Sequence, residues 1–190
     1  MQKKAIKGII SILLTVIMAV GMVGCGKVSE DEAISLVKDL VSRSYDLNVV
    51  YYGEGIKYRE TGNSNSIYMP ALETEKYMLK SVLMKETNLV FSETLAISLI
   101  EMSFNGIASE INQNAVQSRY LVYGDDDLIH VNKNYEPVVD KVTSYKYDNI
   151  EITKISRRFI EATVYTTENE AVEVTLIKES NGWRLDSVTC

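Results

Sequence analysis

The sequence predicts an α+β fold in which three N-terminal helices pack on a curved antiparallel sheet and leave a cone. Three observations predict it. Apolar residues recur at three- and four-residue intervals as far as Gly106, the rhythm becomes two-residue alternation from Ile107 onward, and turn signals separate the alternating stretches. Helices followed by a run of strands is the order of a domain whose helices cover one face of its sheet.

The first helix is expected to start at Ser29, because the spacing of Ser29 and Glu32 lets each side chain satisfy a free backbone N–H. Ala33, Ile34, Val37, Leu40, Val41 and Tyr45 then form one apolar stripe opposite Asp31, Lys38, Asp39 and Arg43, and the helix should end near Asp46. Val49 to Tyr52 reads as a short strand. Gly53 and Gly55 open a loop that runs through the polar stretch from Glu60 to Ser66 and is expected to move. Pro70 suits a helix entrance, and Leu72, Tyr77 or Lys76, Leu79, Val82 and Leu83 support a second helix of about four turns. Ser92 caps a third, with Leu95, Ala96, Leu99 and Ile100 inward, ending before Gly106.

Strands are expected near 107–113, 117–123 and 128–132, the last two joined across Gly124, Asp125, Asp126 and Asp127. After a looser span containing Pro137, a four-stranded meander follows: Ile150, Ile152 and Ile155; Phe159 or Ile160, Ala162 and Val164; Val172, Val174 and Leu176; Trp183 and Leu185. Ser180, Asn181 and Gly182 make its last turn, where Asn and Gly tolerate positive φ. Alternation points Trp183 inward and Arg184 outward.

Ahead of this domain stand a basic start (Lys3, Lys4, Lys7), an apolar run from Ile9 to Val23, and small Gly24 before Cys25. That is the layout of an export signal, and its apolar run is shorter than the roughly 20 residues a spanning helix needs. Met22, Val23, Gly24 and Cys25 resemble a bacterial lipobox, which implies that the Cys25 thiol takes a diacylglycerol and that the chain is cut before it. The chain thus divides into a signal peptide (1–24), a lipidated tether (25–28) and one α+β domain (29–190). Two acyl chains suffice for durable anchoring, which here means the outer face of the cytoplasmic membrane.

Cleavage would remove three of 20 basic residues and none of the 26 acidic ones, moving the formal charge from −6 to −9. An acidic surface repels phosphate backbones and anionic lipid headgroups alike, since affinity for either rests on Lys and Arg, so nucleic acid is not an expected partner. With Cys25 acylated, Cys190 alone remains, no internal disulfide can form, and the last residue reads as a frayed thiol.

Chemistry has few footholds. His130 is the one histidine, which rules out a histidine metal cluster and routes any Ser-His-Asp arrangement through a single ring on a strand; it reads as a surface or satisfied interior residue. Asp125 to Asp127 lack the spacing of a calcium loop and read as a solvated turn. No catalytic residue, cofactor site or metal site is therefore assigned. Among twelve tyrosines, Tyr51, Tyr52, Tyr58 and Tyr68 gather with Arg59 around the glycine loop, and these five are the expected ligand or partner surface unless they merely cap the core.

Three pieces carry a wider likeness: Tyr52 to Tyr58, reading Y-G-E-G-I-K-Y; Ser118-Arg119-Tyr120-Leu121 with Asp127-Leu128; and the closing Gly182-Trp183-Arg184-Leu185-Asp186-Ser187. With the element order, they resemble small lipoproteins of Gram-positive bacteria that carry NTF2-like or cystatin-like domains. The layout is also similar to that of a lipoprotein inhibitor of cell-wall DL-endopeptidases. The likeness implies a membrane-tethered, non-enzymatic binding module that restrains a wall hydrolase or engages another envelope component, with no inhibitory residue carried over. Val188-Thr189-Cys190 departs from the proline and aromatic ending of that group. The rival reading is an enzyme or small-ligand carrier that uses the cone interior, since this kind of fold hosts unrelated activities. A closed apolar interior beside an exposed aromatic patch favours the first, a polar, acid-lined interior with a convergent pair of ionisable groups the second.

Overall fold

A computed structural model describes residues 28–61, 66–109 and 112–190, with backbone alone over 107–117. The expected signal peptide (1–24), Cys25, for which acylation is expected, residues 26–27 of the tether, and residues 62–65 of the polar loop lie outside the described residues. The architecture is α+β, with three helices and antiparallel sheets of three, two and four strands among the described residues.

Helix α1 spans Glu30–Tyr51, starting where Ser29 accepts from the Glu32 N–H and carrying three acids in its first turn, as its positive end favours. Strand β1 (Tyr68–Pro70) follows, then α2 (Lys80–Val90) and α3 (Glu93–Asn105). Strands β2 (Ile107–Ser109) and β3 (Asn112–Gln117) pair, and β4 (Tyr120–Leu121) and β5 (His130–Asn132) join β1 in the order β1-β5-β4. The meander is β6 (Tyr145–Ile155), β7 (Phe159–Thr166), β8 (Ala171–Glu179) and β9 (Gly182–Leu185), in sequential order.

The meander and the third helix match the sequence reading. Three expectations do not. Helices are not the first three elements, because β1 intervenes: Pro70 lies in a strand paired with His130 instead of opening a helix. The second helix starts at Lys80, not near Leu72, since residues 72–78 close two turns and Leu79 still bridges Leu128. Val49 to Tyr51 extend α1 instead of forming a strand, because Tyr120 and Arg119 capture the carbonyls of Val50 and Tyr51.

The inner face of the meander presents Ile160, Ala162, Val164, Val174, Leu176 and Leu185, which are buried in one cluster with Ala33, Val37, Leu40 and Val41 of α1. Residues 142–147 run back along α1: a Cβ on Gly53 would lie 2.8 Å from Val142, and Tyr147 reaches Ser42. Strand β6 is therefore antiparallel to α1. Its far end, the β6–β7 turn, lies toward the start of the helix, as does the β8–β9 turn.

Candidate functional site

The five residues singled out from the sequence do not form one surface. Tyr51 belongs to the core: it is fully buried, its hydroxyl lies 2.7 Å from Thr87 Oγ1, and burial raises its pKa. Tyr52 is half-buried just past α1, where its carbonyl accepts from the Val138 and Val139 N–H groups. Burial and the neighbouring Cys190 thiol raise its pKa.

Tyr58, Arg59 and Tyr68 do come together. The Arg59 N–H donates to Pro70 O and the Leu72 N–H to Lys57 O, so residues 57–59 add an outer strand beside β1, with Tyr58 opposite Ala71. The Tyr68 hydroxyl is spent on Ser118, 3.0 Å from its carbonyl and 2.9 Å from its hydroxyl. Arg59 is exposed and sits 3.8 Å from Glu73 across an open depression of about 230 Å³, lined also by Ala71, Leu72 and Thr74. A loosely paired guanidinium over an open depression can hold a carboxylate or another small polar group at the surface.

Sequence reasoning missed the residues that organise this region. Arg119 is 3% exposed, and its guanidinium donates to the carbonyls of Tyr51 (2.9 Å) and Gly53 at the end of α1, packed against the rings of Tyr120 and Tyr135. A cation belongs there, because the carbonyl end of a helix carries negative charge. Gly55 makes room for it: its φ of +82° and a Cβ position 2.6 Å from Arg119 Nη2 both exclude a side chain. Tyr120 completes the cap by donating to Val50 O at 2.7 Å, and burial pushes its pKa up to about 12.

Arg184 corrects the outward assignment. It is 5% exposed and donates to Asn88 O (2.7 Å), Trp183 O (2.8 Å) and Asn181 O (3.4 Å), closing the end of α2. Alternation fails here because Phe91 and Ser92 pair beside Leu185, bringing α2 against an edge that would otherwise face water. Trp183 packs inward as expected.

The chain end is not frayed either. Thr189 is buried, its hydroxyl 2.8 Å from Ser44 Oγ and 2.9 Å from Asn48 Nδ2, and Tyr145 donates to its carbonyl. Cys190 is half-buried, and burial raises its thiol pKa. Asp126 and Asp127 have structural duties: Asp126 accepts from the Leu128 N–H, and Asp127 accepts from the Ser81 N–H and hydroxyl at the start of α2. His130 is half-buried, its Nδ1 3.2 Å from Leu128 O and its ring edge-on to Tyr123 at 4.6 Å. Among the described residues, no group of three His, Cys, Asp or Glu is placed to hold a metal.

A scan against protein-family models finds no match, and a search of curated proteins finds none. The sequence and the geometry therefore carry the functional reading. Among the described residues no helix is long and apolar enough to cross a membrane.

Proposed function

We propose that the chain is an exported lipoprotein, acylated at Cys25 and held at the outer face of the cytoplasmic membrane, whose folded part is a non-enzymatic binding module. The observation that carries this reading is the run from Lys3 to Cys25: a basic start, an apolar stretch and a lipobox-like Met22-Val23-Gly24-Cys25 in the order that export and acylation require. Binding through the surface is supported by a filled interior. Val37 and Val41 meet Ile160, Val164 and Leu176 between helix and sheet, where a carrier or enzyme of this architecture would need an open polar cavity. The same reading assigns the helix-on-meander layers to the NTF2-like and cystatin-like cones, supported by the four-stranded sequential meander and the motifs around Arg119 and Arg184.

The partner is a protein or wall component of the cell envelope, a peptidoglycan hydrolase first, met through Tyr58, Arg59 and the depression beside Glu73. Mass spectrometry of the membrane fraction tests the anchor: the wild-type chain should begin at a diacylated Cys25, and a Cys25→Ala chain that is cut and membrane-bound all the same would refute it. Crosslinking in living cells from position 58 or 59, followed by pulldown, tests the partner. A wall hydrolase in the captured material is the expected result, and its absence from a crosslinked product of other composition overturns that assignment.

A further inference from the structure

We propose that the paired arginines at the tip of the β6–β7 turn dock the domain on anionic lipid headgroups, so that the lipid anchor and this turn hold the molecule in one orientation. The inference rests on acylation of Cys25.

The arginines divide into three kinds. Arg119 and Arg184 are buried against carbonyls, Arg43 pairs with Glu86 and Asp39, and Arg59 pairs with Glu73. Among the described residues, Arg157 and Arg158 alone of the arginines are exposed with no ion pair, and they are adjacent in sequence. Their turn is firmly built. The Ser156 N–H donates to Phe159 O at 2.9 Å, and Ser156 Oγ accepts from the N–H groups of Arg158 (3.1 Å) and Phe159 (2.9 Å), leaving the two arginines at the tip. The Lys178 N–H donates to Arg158 O at 2.7 Å, bringing a third exposed cation alongside.

Position does the rest. Because β6 is antiparallel to α1, this turn sits at the end of the domain where α1 begins. Three residue steps separate Cys25 from Val28, which already packs on the core, so an acylated Cys25 keeps that end within about 10 Å of the bilayer. Cations near an anionic membrane surface are attracted to it even in a protein of net negative charge, because screening limits each charge to a Debye length of about 8 Å. Acids share this end. Glu179 is engaged by the Glu93 N–H and Glu161 by Lys154, while Glu30, Asp31 and Glu32 on the first turn of α1 and Glu93 on the first turn of α3 stay exposed. The helix layer is thus repelled and the sheet layer attracted. The domain leans onto its two hairpin turns and turns Tyr52, Cys190 and the β7–β8 turn away from the lipid.

Trp183, the single tryptophan, lies one strand from these turns with Lys178 over its ring at 5.2 Å, and so reports their distance from the membrane. The acylated full-length mature protein is reconstituted in vesicles of phosphatidylcholine, with or without phosphatidylglycerol, carrying a trace of dansyl-headgroup lipid. Energy transfer from Trp183 should be higher with phosphatidylglycerol and fall to the phosphatidylcholine level at high salt. In an Arg157→Ser/Arg158→Ser protein the docked-to-undocked ratio should fall about fivefold for each cation removed. Equal transfer in both lipid mixtures, or a salt-independent signal in the wild type, overturns the docking. Flotation of the same vesicles separates the two readings: a protein that floats yet transfers equally sinks only the docking, whereas one that does not float removes the anchor as well.

Discussion

Helices α1 and α2 are finished by opposite means. α1 supplies its own start, through Ser29 and three acids within its first turn, and borrows only its end from Arg119 and Tyr120. α2 supplies neither. Its cap position is Leu79, which has no side-chain acceptor, so Asp127 from the β4–β5 turn holds the first N–H groups and Arg184 from β9 takes the carbonyl of Asn88. The partners lie 46 and 96 residues from the groups they satisfy. An α-helix must place four N–H and four carbonyl groups somewhere, and in a helix of 11 residues those groups are over a third of the backbone polar groups. α2 is accordingly a product of the tertiary fold, while α1 has a local beginning of its own.

The comparison breaks most visibly at Arg184. Replacing it with alanine strips three carbonyls of a charged donor in a buried setting, and the loss should be about 3–5 kcal/mol by denaturant unfolding. Arg184→Lys should recover less than half, because one ammonium cannot reach all three acceptors as a planar fork does. If α2 were self-sufficient, both variants would sit near the wild type.

Alkaline pH sets the two helix ends apart. Tyr120 donates to the Val50 carbonyl at the end of α1 only while it carries its proton, so that cap is the one exposed to alkaline titration. Burial raises the Tyr120 pKa to about 12, above the unfolded value of 10, so the folded state holds a proton that the unfolded state releases first. Its contribution is fully present below pH 10 and is lost between pH 10 and 12, to the extent of about 2–3 kcal/mol. Tyr145, also raised to about 12 by burial beside Cys190, adds to the same slope. A Tyr120→Phe protein should start less stable and lose less across that window; an unchanged slope would place the alkaline sensitivity elsewhere.

A smaller effect belongs to the start of α2. Asp127→Ala removes an exposed cap that acts from another element, and about 1–2 kcal/mol should go with it. Hydrogen exchange should localise the loss to the amides of Ser81 and Val82, leaving α1 protected. Uniform loss would mean that the β4–β5 turn, and not the helix start, was the element weakened.

These distances explain what the amino-acid pattern made legible. The meander could be read because alternation is local and one face is buried, so Ile160, Ala162 and Val164 announce themselves. Helix α3 could be read because Ser92 and Gly106 mark its ends. The second helix was not legible, since no residue near Lys80 signals a start and the apolar residues from Leu72 to Leu79 serve turns and bridges. Among the tyrosines, spacing located a cluster near the glycine loop but could not separate Tyr51, which faces Thr87 in the core, from the half-buried Tyr58 at its margin. Arg119 and Arg184 were hidden for a related reason. An arginine in an alternating run reads as solvent-facing unless the carbonyls that receive it are known, and those come from other elements.

The mildest test falls on the one helix start that is local. Ser29 accepts from the Glu32 N–H at 3.3 Å in an exposed position, a long hydrogen bond in competition with water. The first turn is also held by Glu30, Asp31 and Glu32 against the positive end of the helix dipole, and Ala33 and Val37 are fully buried just beyond. Ser29→Ala should therefore cost about 0.5 kcal/mol, at the low end of the range for cap removal. A loss as large as that of Asp127→Ala would show that α1 leans on its cap as heavily as α2 does on its borrowed one, and the contrast between local and imported helix ends would fail.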